Sequence, residues 1–176
     1  MKSAVLSFIA GIMIIFAVSA ALSNPAREFL TEEEIDAIQK NQAIAPRVQL
    51  YLRAASLRLS SAEARLNGQE TIPGDPLEYH TTEDMLDEYY RIVNSVMFNL
   101  EDAAQKFPPD REGMTKALKH LRNIMKKTLP ELETLEKIAA EKKDKELLRL
   151  IRRATDISNG ALEGAEEALE GKFSEY

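Results

Sequence analysis

Two histidines with charged neighbours are the first residues to consider for metal or acid–base chemistry. His80 stands near Glu83 and Asp84, a grouping that suits a weak surface metal site. A di-iron centre in a helical bundle would instead need Glu-x-x-His on two helices. The residues three positions before the two histidines are Leu77 and Ala117, so that motif is absent. We expect Glu83 and Asp84 to complement a helix dipole, and we predict no metal site and no cofactor.

The chain offers little for covalent catalysis. It contains no Cys, which excludes thiol nucleophiles, thiolate zinc sites, iron–sulfur clusters and disulfides. Its Ser, Asp and His residues form neither a nucleophile elbow nor a Gly-rich phosphate loop. We therefore predict a protein that is not an enzyme and that has no catalytic or cofactor-binding residues.

Basic side chains recur along one predicted helix in the second half of the chain. They are Lys116, Lys119, Arg122, Lys126 and Lys127, with His120 among them. A basic stripe suits contact with an anionic surface, such as lipid head groups, cell-wall polyanions or an acidic partner protein. The alternative is that acidic neighbouring helices pair with these side chains within the molecule.

The distribution of charge favours the intramolecular alternative. The net charge is -6, but residues 24–110 hold 8 basic and 16 acidic side chains, residues 111–153 hold 13 and 7, and residues 154–176 hold 1 and 6. Helices of opposite sign that pack side by side attract one another without any partner. We predict no nucleic-acid partner, because the chain is acidic and lacks aromatic residues interleaved with its basic ones.

A second candidate site is the longest predicted connection, from Gln69 to Thr81. Loops of about 12 or more residues in compact domains are often functional. This loop contains Tyr79 and His80, which form a candidate loop site. The alternative, which we favour, is that Leu77, Tyr79 and His80 cover one end of a helical bundle.

Four apolar stripes with steps of three and four residues predict the helices that position these candidate sites. The stripes run from Val48 to Leu66, from Leu86 to Phe107, from Met114 to Ala139 and from Leu147 to Ala168. Seven-residue repeats of this coiled-coil kind, joined by mostly short connections, predict an all-α fold, an antiparallel four-helix bundle. No run alternates with period two over a useful length, so we predict no sheet.

Capping residues mark the expected helix boundaries. Thr31 and Glu34 form a capping box that starts a short extra N-terminal helix near Glu32. Further N-caps are predicted at Thr81 or Thr82, Asp110 and Asp144, with a stop at Pro108-Pro109. Pro130 falls inside the third long stripe, so the third long helix is predicted to be kinked there, or broken with a restart capped by Thr128.

The first 23 residues have the anatomy of an export signal. Residues 4–22 carry no charge, Lys2 precedes them, and small residues close the segment. We expect cleavage after Ala20 or Ser23; the alternative is an uncleaved membrane anchor through residues 4–22. Either outcome predicts export to the periplasm or the extracellular space. The predicted organisation is a signal peptide or anchor over 1–23, a short helix and linker over 24–44, a helical bundle over 45–171 and a tail over 172–176.

The start of the predicted mature chain carries a characteristic set of residues. It reads LTEEEID over residues 30–36, followed by Ile38, Gln42, Arg47-Val48, Leu50-Tyr51-Leu52 and Arg58-Leu59. This segment, the N-terminal quarter of the mature chain, resembles the mature start of uncharacterised exported all-helical bacterial proteins. The resemblance implies an envelope location and a helical fold, and it brings no catalytic residues.

These features together predict an exported, non-enzymatic helical bundle that acts through contact with a protein or an anionic envelope surface. The alternative is a carrier that holds a small hydrophobic ligand between the helices. Contact with a membrane through the N-terminus requires that the apolar segment is not cleaved. The sequence leaves the identity of the partner and the oligomeric state open.

Overall fold

A computed structural model describes residues 29–106 and 110–171 of the chain. Within these ranges the chain forms helices and contains no strand, which confirms the all-helical prediction. The predicted export segment, the Pro108-Pro109 stop and the tail over 172–176 lie outside the described residues. The helices are α1 (Glu32–Lys40), α2 (Ile44–Leu66), α3 (Thr82–Gln105), α4 (Arg111–Lys142) and α5 (Lys145–Leu169).

The predicted caps are present at the helix starts. The Thr31 hydroxyl accepts a hydrogen bond from the backbone of Glu34, whose carboxylate accepts one from the Thr31 backbone. Thr81 forms the same reciprocal box with Asp84 at the start of α3. Asp110 and Asp144 cap α4 and α5 through their carboxylates. These local bonds satisfy orphan amides at the helix N-termini and fix where each helix begins.

The four apolar stripes form the core of the molecule. Their buried members are Val48, Leu52, Ala55, Leu59 and Ala62 on α2; Leu86, Tyr89, Val93, Val96 and Leu100 on α3; Leu121, Met125, Thr128, Leu132, Leu135 and Ala139 on α4; and Leu147, Ile151, Ala154, Ser158, Ala161 and Ala165 on α5. Burial of this apolar surface, at about 25 cal/mol per Å², is the main force that holds the helices together.

The helix contacts are those of a bundle. α2 packs against α3, α4 packs against α5, and contacts between α2 and α4 and between α3 and α5 join the two pairs. The short α1 packs against α2, where Ile38 is its one buried residue. α1 is therefore an appendage on the outer side of the bundle rather than a member of its core.

Pro130 lies inside α4, which runs without a break from Arg111 to Lys142. The predicted alternative of a break is wrong, because Thr128 is buried within the continuous helix and does not cap a new one. Thr134 donates a hydrogen bond from its hydroxyl to the Pro130 carbonyl one turn earlier. Packing of the flanking Leu132 and Leu135 into the core offsets the backbone hydrogen bond that proline cannot donate.

Among the described helices, none combines the length and the apolar character that crossing a membrane requires.

Candidate functional site

The predicted basic stripe lies on α4, and the structure brings its lysines onto the solvent side of that helix. The side chains of Lys116, Lys126 and Lys127 are 65%, 55% and 77% exposed. Lys119 is also exposed, whereas Arg122 at the flank of the stripe is half-buried. Helical periodicity produces this row, because the buried α4 residues occupy the opposite side of the same helix.

Three of the stripe residues have acidic partners within the molecule. Lys126 reaches Glu166 of α5 at 2.6 Å, while Lys116 and Lys127 reach carboxylates one turn away on α4 at 2.6 and 3.9 Å. The pKa of Lys116 is raised, chiefly by its hydrogen bond with Glu112. Lys119 and Arg122 have no ion pair with any described residue. The stripe is therefore paired in part and displayed in part.

A second basic group lies on the first half of α5, which the sequence analysis did not single out. Arg149 pairs with Glu146, Arg152 pairs with Glu136 of α4, and Arg153 pairs with Asp87 of α3. The Arg153 guanidinium also stacks on the Tyr90 ring, 3.7 Å from its centroid. The high positive charge of residues 111–153 was the sequence feature that could have indicated this group. Each of these arginines, however, already has an acidic partner.

The two residues of the candidate loop site point in different directions. Tyr79 is 84% exposed, whereas the His80 side chain is 17% exposed and its Nδ1 lies 2.9 Å from Oε1 of Glu88. The two atoms are close, but the buried ring nitrogen makes no hydrogen bond with a described residue. Leu77 is buried and closes the end of the bundle, and Arg65 donates to its carbonyl. The structure does not assemble Tyr79 and His80 into one site.

A buried charged cluster joins α1, α2 and α3. Arg58 of α2 is fully buried, and its Nη1 and Nη2 donate to the two carboxylate oxygens of Glu34 at 2.5 and 2.8 Å. Its Nε donates to Oε2 of Glu88 at 3.2 Å, and Nη2 also donates to the Phe29 carbonyl. His80 approaches the other oxygen of Glu88. Arginine suits this position because its planar fork serves several acceptors at once.

Sequence reasoning missed this cluster for a physical reason. Arg58 directly precedes Leu59 of the core stripe, and Glu88 directly precedes Tyr89, so both lie beside buried positions. A charged residue beside an apolar stripe usually extends its charged end to solvent. The residues near Arg58 in the sequence do not indicate which carboxylates it contacts. Glu34 and Glu88 are 24 and 30 residues away from Arg58 along the chain.

A polar contact also lies inside the core between α3 and α5. The Tyr89 hydroxyl and the Ser158 hydroxyl are 2.6 Å apart, and Ser158 donates to the Ala154 carbonyl. Burial raises the pKa of Tyr89 to about 12, so this phenol stays neutral at physiological pH and cannot serve as a base there. The described ranges contain no group of three His, Asp or Glu side chains arranged to hold a metal ion.

One concave surface of the described residues is a cleft of about 630 Å³ over α2, between α1 and α4. It is lined by Thr31, Glu33, Glu34, Ala37 and Ile38 of the α1 region, by Leu50, Arg53, Ala54, Ser56, Leu57, Ser60 and Glu63 of α2, by Pro76, and by Ile124, Lys127, Thr128 and Glu131 of α4. Its floor is largely apolar and its rim is charged. We define this surface as the α2 cleft.

Comparison with known protein families, with curated proteins and with solved structures finds no match to this chain. The function must therefore be argued from the surfaces described above.

Proposed function

We propose that this chain is an exported, non-enzymatic helical bundle whose basic α4 face docks onto an anionic surface of the bacterial envelope. The observation that carries the proposal is the α4 stretch from Gly113 to Pro130, which contains five Lys or Arg side chains and no carboxylate. The exposed lysines of this stretch form a row whose amines reach solvent. Such a row is the usual footprint of proteins that bind anionic head groups or polyanions.

The ion pairs on the stripe do not prevent that contact. An exposed ion pair contributes about 0–1 kcal/mol, so its lysine exchanges readily onto another anion. Lys119 in the row and Arg122 at its flank have no ion pair with a described residue, so neither has to leave an acidic partner. Binding of this kind weakens as salt rises, because the charges are exposed and therefore screened.

Export is part of the proposal. The uncharged segment over residues 4–22 behind Lys2 supports it, as does the resemblance of the predicted mature start to exported helical proteins. Cleavage after Ala20 or Ser23 would leave the bundle free in the periplasm or outside the cell. An uncleaved segment would hold the α4 face close to lipid head groups.

We also propose the finer arrangement in which consecutive long helices run antiparallel and α4 bends at Pro130. Two side-chain contacts support the antiparallel order: Lys142 at the end of α4 donates to the Leu66 carbonyl at the end of α2, and Arg153 near the start of α5 pairs with Asp87 near the start of α3. These contacts support a parallel direction for α2 and α4 and for α3 and α5, and the position of Pro130 inside α4 supports the bend.

The experiment is a charge reversal of the stripe in the full chain. The variant combines Lys119→Glu, Arg122→Glu and Lys126→Glu, and the control combines Lys137→Glu, Lys143→Glu and Lys145→Glu, which makes the same change in net charge near the α4–α5 turn. Cells are fractionated and the envelope fraction is washed at low and high salt. Circular dichroism of each purified protein confirms that its helices remain folded.

For chains whose signal is cleaved, we expect wild type and control to stay with the envelope at low salt and to be released at high salt, while the stripe variant is soluble throughout. A stripe variant that remains with the envelope as wild type does would reject the α4 face as the contact. Native mass spectrometry of the envelope-bound wild type then reports whether the signal is cleaved and whether a lipid or another molecule is bound.

A further inference from the structure

α2 carries a second apolar row outside the core stripe. Leu50, Ala54 and Leu57 follow one another with steps of four and three residues, which places them on one side of the helix. They line the α2 cleft, and Leu57 is 43% exposed. The spacing is that of a helix face that packs against another helix; Ala54 is already buried and Leu50 is half-buried, so Leu57 is the member of the row that stays exposed.

The walls of the α2 cleft are held in place by the fold. On one side, α1 is fixed by the paired hydrogen bonds between Arg58 and Glu34. On the other side, Ile124 of α4 lines the cleft while the neighbouring Met125 is buried in the core. The floor from Leu50 to Glu63 extends about 20 Å at 1.5 Å per residue, the length of a helix of three to four turns.

The charges around the cleft favour a cationic occupant. Glu33 of α1 and Glu63 of α2 line it and have no ion pair with a described residue. Glu131 of α4 also lines it, beside Lys127 at 3.9 Å. Glu34 is neutralised by Arg58, which leaves three carboxylates against Arg53 and Lys127 on this rim. The carboxylates of Glu33 and Glu63, which have no ion pair among the described residues, suit basic side chains that flank an apolar row.

We propose that the α2 cleft docks a basic amphipathic α-helix of a partner protein. The other common modes of peptide recognition need an exposed strand edge or an aromatic-lined groove. The part of the chain that the structure describes has no strand, and the lining of the cleft contains no aromatic side chain. An entering helix lays its apolar row against the exposed Leu57 and the half-buried Leu50, and its Lys or Arg side chains reach Glu33 and Glu63.

This docking site adjoins the α4 face proposed above and shares Lys127 with it. Lys119, Arg122 and Lys126, the residues reversed in the envelope experiment, do not line the cleft. The two proposals can therefore fail independently.

The test is a binding titration of the full chain with fluorescein-labelled peptides, followed by fluorescence anisotropy. The probe is the amphipathic peptide LKKLLKLLKKLLKL, and its charge-inverted counterpart has Glu in place of each Lys. The cleft variant is Leu57→Asn, and the matched control is Phe98→Asn, since Phe98 is a 68% exposed apolar side chain on α3. Both substitutions leave the charge unchanged, and thermal unfolding checks that each protein is folded.

We expect the Lys peptide to bind wild type and Phe98→Asn equally, and to bind Leu57→Asn about tenfold more weakly, as for loss of an interface anchor. We also expect Glu33→Gln combined with Glu63→Gln to weaken binding, and the Glu peptide not to bind. Equal affinities for the Leu57 and Phe98 variants, or binding of the Glu peptide, would overturn the proposal. If the dye 1-anilinonaphthalene-8-sulfonate occupies the cleft while neither peptide binds, the site belongs to a small apolar ligand and the helix proposal is rejected.

Discussion

Arg58 of α2 holds both carboxylate oxygens of Glu34 of α1, at 2.5 and 2.8 Å, although its guanidinium is fully buried. The same Glu34 carboxylate accepts the Thr31 backbone amide and so completes the cap of α1. One side chain therefore starts a helix and fastens it to the bundle. Because α1 buries little apolar surface of its own, this contact is the main specific attachment of α1.

Replacement of Arg58 by Ala should destabilise the whole bundle. The change leaves Glu88 buried without its guanidinium partner, and breaking a buried pair from one side costs about 3–5 kcal/mol. Urea unfolding followed by circular dichroism measures the loss. The control is Arg53→Ala on the exposed side of the same helix, for which we expect a change within about 0.5 kcal/mol. Similar losses for the two variants would contradict the importance of the cluster.

Replacement of Glu34 by Gln should loosen α1 while the rest of the bundle stays folded. Gln retains the capping role, but it cannot offer two charged oxygens to Arg58. We expect the amides of Ile35 to Lys40 to exchange with deuterium about tenfold faster or more, and those of α4 and α5 to keep their rates. Glu33→Gln on the exposed side of α1 is the control. Unchanged α1 exchange in Glu34→Gln would show that the helix is held in another way.

The stability of the bundle should fall at alkaline pH because of Tyr89. Burial raises its pKa to about 12 in the folded chain, against an ordinary value near 10. The neutral phenol therefore makes its full contribution to the free energy of unfolding below pH 10. This contribution, on the order of 2–3 kcal/mol, is lost as the pH rises toward 12.

Tyr89→Phe isolates that contribution. The variant loses the hydrogen bond with Ser158, which costs about 0.5–1.5 kcal/mol at neutral pH, but its stability should decline less between pH 10 and 12. The measurement is urea unfolding of both proteins across that pH range. Parallel curves for wild type and Tyr89→Phe would mean that another group causes the alkaline loss.

Replacement of Gly160 by Ala should stabilise the chain. Gly160 lies inside α5, and a Cβ added there meets nothing within 4 Å. Alanine is favoured over glycine in a helix interior by about 1 kcal/mol. Gly68→Ala is the opposing control, because Gly68 follows α2 with a φ of +78°, a conformation that strains any residue with a Cβ. We expect a higher melting temperature for Gly160→Ala and a lower one for Gly68→Ala. A lower value for Gly160→Ala would refute the prediction.

The helices and most of the core were predictable from the sequence because both depend on neighbours three or four residues apart. The capping box at Thr31, the caps at Thr81, Asp110 and Asp144, and the stripe positions on the four long helices all follow from this short range. The basic row of α4 was predictable for the same reason, since the periodicity that buries Leu121 also exposes Lys119.

The tertiary structure alone decided how those elements meet. It turned His80 toward Glu88 and Tyr79 toward solvent, it buried Arg58 between carboxylates 24 and 30 residues away, and it left Leu57 at the floor of a cleft. Each of these outcomes depends on which side of one helix faces another. The geometry of a helix repeats every few residues, so it can be predicted from neighbouring residues. The partners of a buried charge are set by packing between helices, and the distance between two residues along the chain does not indicate whether they meet there.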